Sequence, residues 1–238
     1  MRPPARRLGF TVMEPLARLL EEAHDGRIQV PEFQRELILK DEWMKSLLAS
    51  VSLGYPIGAV MLLEAGAPAM RFETRTIADP PSPPREPERL LIDGRRRITG
   101  LYQALASDRP VQIRDGRDEP MQRWYFIDIA AALDPAVDRD QAIISVPEPS
   151  GAASEREQSL FPLRLVFGAD AERGRWLNTR AGETAGRSSR FETEILAAFH
   201  GYQVAAIVLG KETTRWSVRV HGGREGRSLS DRFREAAG

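Results

Sequence analysis

The stretch Leu90-Leu91-Ile92-Asp93-Gly94-Arg95-Arg96-Arg97-Ile98-Thr99-Gly100-Leu101 sets an arginine triplet just after an apolar run and an Asp-Gly turn. The pattern predicts a strand, a tight turn and then a helix whose first turn carries all these guanidinium groups. The first turn of a helix already exposes unsatisfied N–H groups and the positive end of the macrodipole, so each exposed like charge there costs about 0.3–1 kcal/mol. An anionic guest would relieve that cost. Gly94 would let a phosphate approach the backbone closely, and Asp93 is expected both to cap the helix and to pair with a guanidinium. The same residues also satisfy a structural reading, with Asp93 as a plain N-cap and the arginines paired to Glu86 and Glu88.

A second polar cluster, Val30-Pro31-Glu32-Phe33-Gln34-Arg35, follows a short run stopped by proline. Gln34 can donate and accept towards a base or a phosphate, and Arg35 offers the planar fork that suits bidentate phosphate binding. On its own this is equally a polar turn. The histidines His24, His200 and His221 are far apart in sequence, which favours structural roles over metal ligation, and no metal site is expected. No P-loop, HExxH or nucleophile elbow occurs.

The elements that must position these residues follow from periodicity. Thr11 and Glu14 have capping-box spacing ahead of Leu16, Leu19, Leu20 and Ala23, which predicts a helix from Thr11 to about Ala23. Arg27 to Val30 reads as a short strand. Asp41 is expected to cap a second helix bearing Trp43, Leu47, Leu48 and Val51, with Gly54 as its stop. Ala59 to Leu63 and Leu90 to Ile92 read as buried strands, and Ile98, Leu101, Tyr102 and Leu105 give the helix after Asp93 one apolar face. Further strands are expected at Arg123–Ile129, Ala142–Val146 and Val204–Leu209. Phe161 to Phe167 is apolar but ambiguous. A helix is expected to open at the Ser189/Glu192 capping box, bury Phe191, Ile195 and Phe199, and end at Gly201.

Composition bounds the rest. The chain has 238 residues, 42% hydrophobic, with 34 basic residues against 34 acidic and no cysteine. Such a chain can bury a sizeable core, carries no global field towards nucleic acid or anionic lipid, and fits a reducing compartment. A cytoplasmic location is therefore expected, with neither secretion nor membrane insertion indicated. Prolines crowd positions 78–88, which predicts a projecting loop inside the domain. Two regions are expected: residues 1–213 as the domain and 214–238 as a loosely held tail with sparse apolar anchors.

In combination, Pro31-x-Phe33-Gln34-Arg35, then Gly54-Tyr55-Pro56-Ile57-Gly58, then Ile92-Asp93-Gly94-x-x-Arg97-x-Thr99-x-Leu101 resembles the N-terminal domain family of GmrSD-type, modification-dependent restriction systems. Arg123 to Asp128, Leu160 to Leu163 and Tyr202 to Leu209 extend the likeness over roughly Phe10 to Thr213. The resemblance implies an α/β fold with a ParB/sulfiredoxin-like core and additional α+β elements. It implies binding of a nucleoside triphosphate, with magnesium as accompanying ion, through Phe33, Gln34, Arg35, Gly94, Arg95, Arg96, Arg97 and Thr99, and a catalytic place for Asp93. The family hallmark is Asp-Gly-Gln-Gln-Arg, and here Arg95 and Arg96 stand for both glutamines. An arginine neutralises phosphate but cannot accept a hydrogen bond, so binding is expected to outlast hydrolysis. The family's C-terminal HNH nuclease motifs do not occur in this sequence. Three roles stay open: a nucleotide-binding sensor of a phage-defence system, a modified-DNA-binding module that recruits a separate nuclease, and an inactive remnant.

Overall fold

The computed structural model describes residues 9–32, 34, 37–66, 73–77, 85–147, 159–178 and 185–211. Phe33, Arg35, most of the proline-rich loop and the whole 214–238 tail lie outside the described residues. The architecture is α/β, with a mixed sheet ordered β1-β10-β3-β5-β2-β4. Its strands are β1 (Gly9–Pro15), β2 (Ile28–Pro31), β3 (Val60–Glu64), β4 (Thr74–Thr76), β5 (Arg89–Asp93) and β10 (Gln203–Leu209).

Strand β2 runs parallel to β5, whereas β4 and β3 run antiparallel to them, with Pro31 opposite Thr74 and Asp93 opposite Met61. One rim of the sheet therefore gathers the C-terminal ends of β2 and β5 and the N-terminal ends of β3 and β4. Open α/β sheets bind ligands beyond the carboxyl ends of their parallel strands, and this rim carries the polar motifs.

Helices α1 (Leu16–His24), α2 (Asp41–Ser52) and α3 (Arg95–Leu105) pack on the sheet through Leu16, Leu19, Leu20, Met44, Leu48, Ile98, Leu101 and Leu105, all at most 1% exposed. A second sheet is built round β7 (Pro120–Asp128), which pairs with β6 (Val111–Arg114), β8 (Ile143–Val146) and β9 (Leu160–Pro162). Short helices α4 (Ile129–Leu133) and α5 (Arg139–Ala142) follow β7, and α6 (Asp170–Asn178) follows a 3-10 turn at Leu163–Leu165. The last helical stretch is α7 (Ala185–Arg190), a π-helical turn at Phe191–Leu196 and α8 (Ala197–His200). It begins before the Ser189/Glu192 spacing and buries Phe191, Ile195 and Phe199 as expected.

Residues Thr11 to Pro15 correct the sequence expectation, for they are strand rather than helix. Every residue of β1 pairs with β10, and α1 starts only at Leu16, after Pro15. A helix from Thr11 would hold Pro15 in its interior, where the ring clashes with a preceding carbonyl and lacks an N–H, whereas a proline just ahead of the first turn costs nothing.

Two polar clusters fasten the layers. Glu22, almost fully buried, accepts from Arg18 Nε at 2.9 Å and from Arg89, and lies 3.7 Å from Arg27, while Arg89 also reaches Glu14 at 2.9 Å. Burial alone would raise the Glu22 carboxyl, but hydrogen bonds from Arg89 and Arg18 outweigh it and hold the group below its usual range. Asp41 heads α2, yet its carboxylate does not cap the helix; it accepts from Tyr125 Oη and Ser145 Oγ, both at 2.8 Å, and ties the second sheet to α2.

Candidate anion site at the β5–α3 turn

Between β5 and α3, Gly94 adopts φ +89°, a left-handed conformation that favours glycine. A Cβ there would stand 2.6 Å from Val60 Cγ1. Gly94, not Asp93, occupies the N-cap position of α3, and no side chain caps it. Asp93, the last residue of β5, stands one position ahead of the cap. Its carboxylate is 66% exposed at the rim and meets Arg97 at 3.5 Å. Of the two roles expected for Asp93, pairing holds and capping does not.

The three arginines diverge. Arg97 turns back under the Gly54–Gly58 strap that joins α2 to β3, donating from Nη2 to Ala59 O at 2.6 Å and from Nη1 to Ile57 O at 3.3 Å. Gly58, at φ +86°, makes room for it: a Cβ there would lie 2.9 Å from Nη1. The Nε of Arg97 is buried without a hydrogen-bond partner among the described residues. Arg96 points outward with its guanidinium 4.9 Å from the centre of the Trp43 ring, a cation–π contact. Arg95 is half-buried, and burial followed by the nearby charge of Arg75 pulls its pKa down. Thr99 is buried on the packed face of α3.

Gln34 belongs to the same rim. Its Nε2 donates to Leu91 O at 2.6 Å and weakly to Ile92 O at 3.4 Å, which fixes the residue after β2 against the end of β5. Its own carbonyl accepts from Arg75 Nη2 at 2.9 Å. Arg75 lies on β4 opposite Val30 of β2, so sheet pairing carries its guanidinium to Gln34 O and close enough to Arg95 for the two charges to interact. Sequence reasoning missed Arg75. The only local signal was the alternation Thr74-Arg75-Thr76, which does not say which strand it joins.

The structure thus brings Gln34, Asp93, Gly94 and Arg95 together with Arg75 at one rim, directs Arg96 to Trp43, and commits Arg97 to backbone carbonyls. This arrangement offers two guanidinium groups close enough to interact and the N-terminal N–H groups of an eleven-residue helix, a combination suited to phosphate. Among the described residues, no three histidine, aspartate or glutamate side chains are grouped to hold a metal ion, and no helix is long and apolar enough to cross a membrane.

The family described as GmrSD restriction endonuclease, N-terminal domain, matches residues 16–199. An uncharacterized protein of Methanocaldococcus jannaschii is 22% identical over 212 residues, which cover 81% of this chain and 34% of that protein. The chain thus spans about a third of the length of this curated relative.

Proposed function

Because the chain belongs to the family of GmrSD restriction endonuclease N-terminal domains, we propose that it is the nucleotide-binding regulatory part of a DNA restriction system acting in phage defence. The observation that carries this reading is Arg75 bonded to Gln34 O at the rim and close enough to Arg95, in the first turn of α3, for the two charges to interact. Two cations near one another and near a helix N-terminus create a positive potential that favours an anion beside them. A triphosphate supplies that anion.

In this reading Arg95 and Arg75 take phosphate oxygens, Gly94 admits the phosphate to the helix N–H groups, and Gln34 lines the approach. Asp93, exposed at the rim, is the group placed to meet a magnesium ion or its bound water when the ion accompanies the nucleotide. Arg97 positions the strap rather than touching the ligand. Arginine at 95 and 96 supplies charge but no acceptor to orient a water, so the site favours retention of the nucleotide over rapid turnover. DNA cleavage then belongs to a nuclease part, reached through contacts that respond to the nucleotide.

Titration calorimetry with ATP, GTP, CTP and UTP, each with magnesium, tests this. Binding by the wild type that weakens roughly tenfold or more in Arg95→Ala and in Arg75→Ala is the expected result, since each removes a charge-assisted contact of about 1.5–3 kcal/mol. No binding of any triphosphate overturns the proposal.

A further inference from the structure

Beside Gly54, where α2 runs into the strap, lies an open cleft of about 670 Å³, bounded by β1, the end of α2, α5, the π-helical turn and the start of β10. Its volume falls within the roughly 300–1,000 Å³ usual for small-ligand sites. Its apolar lining comes from Met13 and Leu53, which are 60% and 41% exposed, together with Ile195, Ala197 and Ala198. Gly54 and Gly201 leave the backbone open to it.

One wall carries Arg139. Its guanidinium donates to Ala132 O at 2.8 Å and weakly to Ser52 Oγ at 3.4 Å, both neutral oxygens. Among the described residues no carboxylate comes within 4.0 Å of it. Glu194, across the cleft, is taken by Arg190, which grips both carboxylate oxygens at 2.8 and 3.2 Å. A half-buried cation whose direct partners are all neutral oxygens stays poorly compensated, and a carboxylate is the partner whose geometry matches it. Burial lowers the Arg139 pKa, and the attraction of Glu194 across the cleft only partly offsets it.

We infer that this cleft is a second binding site, for an amphipathic carboxylate whose head pairs with Arg139 and whose apolar body covers Met13, Leu53 and Ile195. The inference is independent of the nucleotide reading. A π-helical turn in the wall agrees with it, since such turns concentrate at functional sites. The chemistry is shared by a free short-chain acid and by a peptide C-terminus with an apolar last residue.

Amide chemical-shift titration of the whole chain separates these cases, with hexanoate, N-acetyl-leucine and the neutral hexanamide as probes at millimolar concentration. Both acids, or one of them, are expected to shift the amides of Gly54, Ala197, Ala198 and Gly201, with hexanamide roughly tenfold weaker or worse. Preference for N-acetyl-leucine marks a peptide end as the source, and preference for hexanoate marks a free acid. Arg139→Gln should erase the gap between acid and amide. Because Arg139 also holds Ala132, Glu194→Gln is the second variant, and removing that negative charge should tighten acid binding about two- to fivefold. Absence of shifts at the cleft, equal response to acid and amide, or unchanged acid affinity in Glu194→Gln overturns the inference.

Discussion

Replacing Arg97 by methionine separates a clasp from a ligand arm. Methionine keeps the unbranched stem but removes both donors, leaving the carbonyls of Ile57 and Ala59 without the bonds seen at 3.3 and 2.6 Å. A buried acceptor that loses its donor costs about 1–3 kcal/mol. Both residues are only partly buried, so water can reach them and each carbonyl falls at the bottom of that range, about 1 kcal/mol. The Arg97–Asp93 pair, at 3.5 Å with Asp93 mostly exposed, adds about 0–1 kcal/mol. The total is about 2–3 kcal/mol, which for a domain of this size lowers Tm by about 5–10 °C. Urea unfolding followed by circular dichroism, without nucleotide, reads this directly. A ligand arm would behave differently: its loss would leave the free protein within about 0.5 kcal/mol of wild type while abolishing nucleotide binding. That pair of results would refute the assignment of Arg97 to the strap.

Two further outcomes are expected. Gly94→Ala forces a Cβ to 2.6 Å from Val60 Cγ1 at φ +89°, so thermal melts should show a loss of about 2–4 kcal/mol, and a melt matching wild type would show that the turn tolerates a side chain. Glu22→Gln breaks a buried carboxylate cluster and should cost about 2–4 kcal/mol at neutral pH, moderated because Arg18 is largely exposed. The Glu22 carboxyl is held below its ordinary value. Its stabilisation is therefore complete above the unfolded value of about 4.3 and disappears as pH falls through the lower folded value. Denaturant titrations at a series of pH values should show the gap between variant and wild type closing on that acid limb, and a gap that persists there would contradict the role given to Glu22.

Some of this was legible before any folding. The β5–Gly94–α3 unit could be read because an apolar strand, an Asp-Gly turn and a helical stripe follow one another within a few residues, and such local units obey local rules. Gln34 could be singled out for the same reason, as a polar amide just past a strand stopped by Pro31, and the structure sets it against the end of β5. Local rules failed at Thr11–Pro15, where the capping-box spacing argued for a helix and pairing with Gln203–Leu209 made a strand.

By itself, then, the sequence determined which residue types stand at the turn, that a strand leads into it and a helix out of it, and that the domain is α/β. Only the tertiary structure decided which guanidinium groups meet there. Arg75 reaches the rim because β4 pairs with β2, and Arg97 leaves it because the carbonyls of Ile57 and Ala59, about forty residues upstream, lie within its reach. Hydrogen bonds between distant segments form only after the chain has packed, so side chains that look alike in one helical turn acquire different partners and different work.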